Sequence, residues 1–140
     1  MAPLLLNVVT PEREVLRADD VESVLAPGVD GELGVLPRHA PLITQIQPGT
    51  LRLRQGGDDS YLSVTGGFLE VMDNQVTVLA DASERSGEID IERAERARDL
   101  AQQRLKQARL TPDGVDVARA RLALLRSLAR LRTAERARRR

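Results

Sequence analysis

Two pairs of charged residues in the second half of the chain have types and spacings that could bind an anionic ligand. Asp90 and Arg93 lie in the stretch "SGEIDIERAERA", residues 86–97, and Arg126 and Arg130 follow further along. The second pair is spaced by four residues, which places both side chains on one face of a helix. Two guanidinium groups on one face can hold a polyphosphate through forked hydrogen bonds. Because no nucleophile, metal cluster or catalytic base accompanies them, the pattern indicates binding rather than turnover.

Asp90 and Arg93 also have a purely structural interpretation. Aspartate is a favoured N-cap that stabilises a helix by about 1 kcal/mol, and an arginine three residues later can pair with it for about 0.3 kcal/mol. By spacing alone this interpretation is the simpler one. The ligand interpretation further requires a folded pair of helices that turns Arg126 and Arg130 toward Asp90.

The elements that precede these residues are short apolar runs rich in β-branched residues, typical of the strands of a sandwich or barrel. Glycine- and proline-containing stretches separate them and predict turns. We therefore expect residues 1–86 to form an antiparallel β-sandwich of two packed sheets. The predicted strands are "LLLNVVT", "EVLR", "VESVLA", "LITQI", "TLRLRQ", "YLSVT", "FLEVM" and "QVTVLA", and the predicted turns are "APGVDGELG", "QPGT", "QGGDDS", "TGG" and "MDNQ".

The three glycines of "GVDGELG" are predicted to shape a turn between strands. They are Gly28, Gly31 and Gly34. A phosphate-binding loop would need its backbone N–H groups at the start of a helix, and nothing after these glycines indicates one.

From Asp90 onward the apolar period becomes helical, and "TPDG", residues 111–114, interrupts it. We expect residues 87–140 to form an antiparallel two-helix hairpin, with Asp113 capping the second helix. The fold class is therefore α+β. The first helix carries one stripe, at Ala94, Ala97, Ala101, Leu105 and Ala108.

The second helix carries two apolar rows. One is expected to face the first helix, and the other to meet the sandwich, a partner or a different position of the same helix. The first row is Ala118, Leu122, Leu125 and Ala129, and the second row is Ala120, Leu124, Leu128 and Leu131. Since alanine buries little surface, we expect this hairpin to be held only weakly.

Composition excludes several classes of function. The chain has no cysteine, so it has neither disulfides nor thiolate metal sites. Its single histidine, His39, argues against a histidine metal centre or a serine–histidine hydrolase. No apolar run approaches the roughly 18 residues of a transmembrane helix, and the N-terminus lacks the features of a signal peptide. The sequence alone therefore favours a soluble cytoplasmic protein.

The formal net charge of zero hides a division between the two halves. Residues 1–87 carry 6 Arg and 13 Asp/Glu, a charge of −7, while residues 88–140 carry 15 Lys/Arg and 8 Asp/Glu, a charge of +7. This division suggests an acidic partner for the second half or contact between the two halves. The arginine-rich tail alternatively fits a nucleic-acid-binding module. The acidic first half and the presence of only Tyr61 and Phe68 as aromatic residues count against nucleic acid.

Several blocks in a fixed order resemble the ε subunit of bacterial F-type ATP synthase over nearly the whole chain. They are "VVTPEREVLRADDVESV", "GELGVLPRHAPLIT", "PGTLRL", "YLSVTGGFLEV", "VTVLADASER", "IDIERA" and "DVARARLALLRSLARLRTAE". The resemblance implies a rotor subunit without catalytic residues, which couples proton or sodium flow to ATP synthesis. It also implies a peripheral position on the cytoplasmic face of the bacterial inner membrane.

The resemblance further implies partners and two states of the hairpin. The sandwich would bind the γ subunit and the ring of c subunits, with Glu32 of "GELG" in the ring-facing loop and His39 in the same surface region. Folded against the sandwich, the hairpin would permit rotation. Extended, it would block ATP hydrolysis, and its arginines would meet an acidic loop of the catalytic β subunit.

The motif "IDIERA" matches the ATP-sensing motif of that family. By the resemblance Ile89 and Ala94 would flank the adenine, and Leu100 replaces a basic residue that some nucleotide-binding members have. No cofactor or metal is required, and ATP is the expected regulatory ligand. The polar contacts would come from Glu84, Asp90 and Arg93, and the phosphate contacts from Arg126 and Arg130.

Overall fold

The computed structural model describes residues 2–111 and 116–139 and shows a sandwich-like β domain followed by two helices. This confirms the predicted fold class. A 3-10 turn, Ser86–Glu88, links the two parts. The elements are β1 (Leu4–Val9), β2 (Glu14–Val21), β3 (Ser23–Gly28), β4 (Gly31–Val35), β5 (Leu42–Gln55), β6 (Asp58–Met72), β7 (Gln75–Ala80), β8 (Ser83–Arg85), α1 (Ile91–Leu110) and α2 (Val117–Arg138).

The strands form one continuous hydrogen-bonded sheet in the order β2-β1-β7-β6-β5-β3-β4, with β8 paired to β6. The pairs are antiparallel except β1 with β7, which is parallel. Two hairpins turn on two residues with positive φ, Gly56–Gly57 and Asp73–Asn74. Both match the type I′ turns that suit the twist of paired strands, at the predicted positions "QGGDDS" and "MDNQ".

The predicted turns "QPGT" and "TGG" are wrong, because β5 and β6 run through them as single long strands. In β6 the buried positions change from Leu62 and Val64 to Leu69 and Val71, so the strand presents its opposite face to the core beyond Gly66–Gly67. Both glycines have positive φ, of 100° and 118°. The two glycines therefore allow a continuous strand to bend and to change the face that it buries, without reversing the direction of the chain.

Strand β5 changes its buried face at the same level, from Ile46 to Leu51. Pro48 and Gly49 lie between them, where the pairing of β5 with β3 is interrupted. Proline has no N–H to donate, so it is tolerated where a ladder is broken. The β5–β6 ribbon thus crosses from one layer of the sandwich to the other.

The core lies between the two layers and consists of aliphatic side chains from β1 to β7. Its largest members are almost completely inaccessible, including Leu51 and Leu62, which face each other across β5 and β6. The buried core residues are Leu4, Leu6, Val8, Val15, Ala18, Val21, Val24, Ala26, Val35, Ile46, Leu51, Leu53, Leu62, Val64, Leu69, Val71, Val76, Val78 and Ala80.

The predicted stripe of α1 is confirmed: Ala94 and Ala101 are buried, and Ala97, Leu105 and Ala108 are half-buried. Neither of the two described helices is long and apolar enough to cross a membrane.

The structure shows which residue caps α2 and which of its two apolar rows faces inward. Asp113 lies outside the described residues, and the cap that the structure shows is Asp116, whose carboxylate accepts from Arg119 N at 3.0 Å. The first apolar row is exposed except for Ala129, whereas the second row is buried or half-buried. The helix therefore turns its other row inward, because alanine, serine and threonine allow close contact with both α1 and the sheet. The fully buried residues of α2 are Ala120, Ser127, Ala129, Thr133 and Ala134.

Candidate functional site

A cleft of about 230 Å³ lies where β8, the 3-10 turn and the two helices meet. The structure brings together five of the seven residues predicted to bind nucleotide. Ile89 is buried nearby, while Arg126 is exposed one turn before Arg130 and does not line the cleft. The lining residues are Glu84, Glu88, Asp90, Arg93, Ala94 and Arg130.

Asp90 is the N-cap of α1, as the structural interpretation predicted. Its Oδ1 accepts from Arg93 N at 3.1 Å, which satisfies one of the free N–H groups at the helix start. Within the described residues the Arg93 guanidinium forms neither a hydrogen bond nor an ion pair with Asp90 or any other group. The two interpretations are therefore compatible: the backbone of Arg93 is capped, and its side chain stands in the cleft as an available cation.

Arg130 joins α2 to the sandwich across the cleft. Its Nε donates to Glu84 Oε1 at 2.6 Å, and each side chain is about one-third exposed (34% and 30%). Glu84 is positioned by β8, which Ser83 anchors to β6 by donating from Oγ to Ser63 O at 2.7 Å. Among the described contacts of Arg130 only Nε donates, so its terminal nitrogens remain donors for an anion.

The sequence did not identify Glu88 or Arg13 as part of this region. Arg13, in the β1–β2 loop, donates from Nη1 and Nη2 to the two carboxylate oxygens of Glu88, each at 3.2 Å. Glu88 also accepts from Arg85 N at 3.1 Å. The Arg13 hydrogen bond, with that backbone donor, lowers the pKa of Glu88, and the same pair raises the pKa of Arg13. No local pattern could reveal a pair so distant in sequence.

The cleft combines three carboxylates with two guanidinium groups, so its lining offers both hydrogen-bond acceptors and cationic donors to a polar ligand. Its volume is below the roughly 300–1,000 Å³ of common ligand pockets, so a nucleotide would also extend over the neighbouring helix surfaces. Within residues 2–111 and 116–139 no group of three histidine or carboxylate side chains is arranged to hold a metal ion.

The two residues assigned to the ring-facing region lie at opposite ends of β4. Glu32 is exposed beside the β3–β4 turn and pairs with Pro27. It lies in β4 rather than in a turn, and Gly34 is also inside that strand. His39 follows the other end of β4, where the adjacent Arg38 N donates to Asn74 Oδ1 at 2.7 Å.

An exposed apolar patch lies on the outer face of β5, β6 and β7. Ile43, Phe68, Met72 and Leu79 are 69%, 52%, 51% and 55% exposed, and Phe68 faces Leu79 across paired strands. We call these four residues the outer patch. Contiguous apolar surface on a globular domain commonly marks a protein interface. The sequence predicted "FLEVM" as a strand but did not identify an exposed apolar face on it.

Comparisons with known protein families match both parts of the chain. Residues 3–86 match the family described as ATP synthase, Delta/Epsilon chain, beta-sandwich domain. Residues 88–135 match ATP synthase, Delta/Epsilon chain, long alpha-helix domain.

Individual relatives agree with the family match. The ATP synthase epsilon chain of Moorella thermoacetica is 52% identical over 136 residues, 96% of this chain and 98% of that one. That of Desulforamulus reducens is 46% identical over 93% of this chain and 96% of its own. A chain in the cryo-EM structure of the Euglena gracilis mitochondrial ATP synthase has the same fold, with a TM-score of 0.80 at 23% identity, covering 100% of this chain and 83% of that chain.

Proposed function

The chain belongs to the ATP synthase delta/epsilon family, and from that premise we propose that it is a non-catalytic rotor subunit of an F-type ATP synthase. In this role it would couple proton or sodium flow to ATP synthesis. It would sit on the cytoplasmic face of the bacterial inner membrane through its partners. The family match over both parts of the chain carries this proposal.

The sandwich is proposed to bind the γ subunit and the c ring. The outer patch supports a γ contact. Covering its four large apolar side chains with a partner would lower the free energy by about 25 cal/mol for each Å² of apolar surface removed from water. Glu32 is proposed to meet the ring through the β3–β4 end of the sandwich, and His39 would contact a partner at the other end of β4. Both side chains are accessible for such contacts.

The hairpin is proposed to act as a brake with a docked and an extended position. Within the described residues, three polar contacts join α2 to the sandwich, and we call them the docking seam. They are Arg130 with Glu84, Thr133 with Thr50 at 2.8 Å between hydroxyls, and Arg136 over the Tyr61 ring at 5.1 Å. A seam of small and polar groups can release without exposing a large apolar surface. Released, the basic hairpin would meet an acidic loop of the catalytic β subunit.

The cleft is proposed to sense ATP, because it is complete only when the hairpin is docked. Arg93 comes from α1, Arg130 from α2 and Glu84 from the sandwich. ATP that binds only the docked form would stabilise it by RT ln(1 + [L]/Kd), about 2.7 kcal/mol at a hundredfold excess over Kd. That shift moves the docked population by about two orders of magnitude.

Removal of residues 88–140 tests the division between the two domains. We expect the truncated chain to assemble with γ and the ring, and the ATPase activity of the assembled enzyme to rise. Co-purification of the complex measures assembly, and phosphate release measures hydrolysis. Loss of assembly in the truncated form would show that the hairpin is needed for attachment and that the proposed division is wrong.

Calorimetry with ATP on the full-length chain tests the cleft. We expect Arg130→Ala to abolish binding and Arg126→Ala to weaken it less, since Arg126 does not line the cleft. Arg138→Ala, an exposed arginine eight residues after Arg130 on the same helix, is the matched control and should bind like the wild type. A wild-type chain that binds no ATP at millimolar concentration would leave Asp90 as a cap alone.

A further inference from the structure

We infer that Arg13 is a positioning residue for the nucleotide cleft: it cancels the charge of Glu88, which would otherwise repel the phosphates of the ligand. This inference rests on the proposed ATP-sensing function of the same cleft. It assigns a role to the β1–β2 loop, which contributes no residue to the lining of the cleft.

The charges of the cleft require such a residue. Glu84 and Asp90 each have an assigned role, since one pairs with Arg130 and the other caps α1. Glu88 is the third carboxylate, and no lining arginine contacts it. Its charge is balanced from outside the cleft by the fork of Arg13, whose side chain is 47% exposed.

The β1–β2 loop holds the backbone of Arg13 in a defined turn. Thr10 Oγ1 accepts from Arg13 N at 3.3 Å, and Thr10 N donates to Arg13 O at 2.9 Å. We call the 3-10 turn Ser86–Glu88 the linker. Arg85, which directly precedes it, donates from Nε and Nη2 to Val15 O at 3.1 and 3.0 Å. Two arginine contacts therefore tie the linker to the loop and to β2.

Loss of Arg13 would leave the negative charge of Glu88 unbalanced in the cleft. An unpaired Glu88 carboxylate would lie within the cleft that receives a triphosphate, and like charges at such distances repel. The pair is exposed, so water and salt weaken this repulsion. We therefore expect a weakened site rather than an abolished one.

The test is a charge-rescue experiment on the full-length chain, with ATP as the titrant in calorimetry at low salt. Arg13→Ala should raise the Kd for ATP by about two- to fivefold, the range expected of one partly screened charge. Glu88→Gln removes a negative charge from the cleft lining and should lower the Kd. The double variant Arg13→Ala/Glu88→Gln should bind like the wild type.

Two readouts separate this electrostatic role from a merely structural one. If Arg13 only ties the linker to the loop, Glu88→Gln will weaken ATP binding as much as Arg13→Ala, and the double variant will not recover. The increase in the Kd for ATP caused by Arg13→Ala should also become smaller at high salt, because salt screens charge. Salt would not restore a lost structural contact between the linker and the loop. Arg17→Ala, an exposed arginine on β2, controls for the loss of one positive charge.

The outcomes also separate this inference from the proposed function. Equal binding by the wild type and Arg13→Ala would overturn the role of Arg13 and leave the cleft as an ATP site. Failure of the wild type to bind ATP at millimolar concentration would overturn both.

Discussion

The sandwich core and the docking seam are built from opposite kinds of contact. The core interdigitates leucine, valine and isoleucine side chains that are almost completely removed from water. The seam joins α2 to the sheet through a hydroxyl pair, an ion pair and a cation over a ring, with alanine, serine and threonine as the fully buried residues of the helix. A Leu side chain gains about 1.5–3 kcal/mol on burial, whereas each polar seam contact contributes about 1 kcal/mol or less.

In the proposed function this contrast separates a permanent part from a releasable part. The core is aliphatic and contiguous, as a part that stays folded throughout would need to be. The seam is polar, and polar groups that lose one partner can return to water. Substitutions in the two regions should therefore have effects of different size.

The largest effect is expected from truncating a core leucine. Leu62 is 1% exposed, so Leu62→Ala should lower the free energy of unfolding by about 2.7–5 kcal/mol through lost burial and a residual cavity. Urea denaturation followed by circular dichroism measures the change. Leu125→Ala on α2 is the matched control, since Leu125 is 44% exposed and should change stability by less than about 0.5 kcal/mol. Equal losses in the two variants would remove the distinction between the regions.

A second test addresses the point where β6 turns over. A Cβ on Gly67 would lie 2.0 Å from Leu79 O, and its φ is 118°. Gly67→Ala should therefore cost about 1–3 kcal/mol of backbone strain and displace β7 as well. Gly34→Ala is the control, because a Cβ there meets nothing within 4 Å and φ is not positive. If the two thermal midpoints fell together, the strand would not depend on the conformation of Gly67.

A smaller effect, confined to the seam, is expected from Thr133→Val. Thr133 is completely buried and shares a 2.8 Å hydrogen bond with Thr50, which the isosteric valine removes at a cost of about 1 kcal/mol. We expect the hairpin to undock more often while the sandwich unfolds at an unchanged urea concentration. Tyr61 is the single tyrosine in a chain without tryptophan, so its fluorescence reports the loss of Arg136 from its ring.

The double variant Thr50→Val/Thr133→Val provides the control for that experiment. Replacing both partners by apolar groups leaves no unsatisfied hydroxyl, so docking should recover most of its strength. If Thr133→Val lowered the unfolding midpoint of the sandwich itself, the seam would belong to the same cooperative unit as the core.

The sequence was informative where its pattern was local. Short apolar runs rich in β-branched residues predicted most strands, and the three- and four-residue spacing predicted the inner face of α1. The interpretation of Asp90 as the cap of α1 is confirmed. Proline and glycine were misread at Pro48 and Gly66, because the same residues serve a reversal and a bend in a continuous strand. Which of the two occurs depends on strand pairing, which the local sequence does not encode.

The cleft was predicted in part for the same reason. The residues of "IDIERA" and the arginines of α2 are recognisable by their spacing, and five predicted residues converge. Arg13 and Glu88 were missed because their pairing depends on how the β1–β2 loop folds back onto the linker. The sequence left open which row of α2 faces inward, because burial there follows small side chains rather than the largest apolar ones.

The smallest expected effect concerns the linker, which lies between the two regions and could behave like either. The hydrogen bonds from Arg13 hold the pKa of Glu88 below its ordinary value of 4.5. A lowered pKa in the folded state gives a stabilisation that is present above pH 4.5 and is lost as the pH falls through the lowered value.

Glu88→Gln and Arg13→Ala should therefore each be slightly less stable than the wild type at pH 7. The difference in unfolding free energy between the wild type and each variant should become smaller below pH 4.5. It should also become smaller in 1 M salt, where the Debye length is about 3 Å. Urea titrations across pH measure it. A difference in unfolding free energy that stayed constant down to pH 3 would show that the pair acts through packing. The linker would then be held by packing, like the core, rather than by polar contacts, like the docking seam.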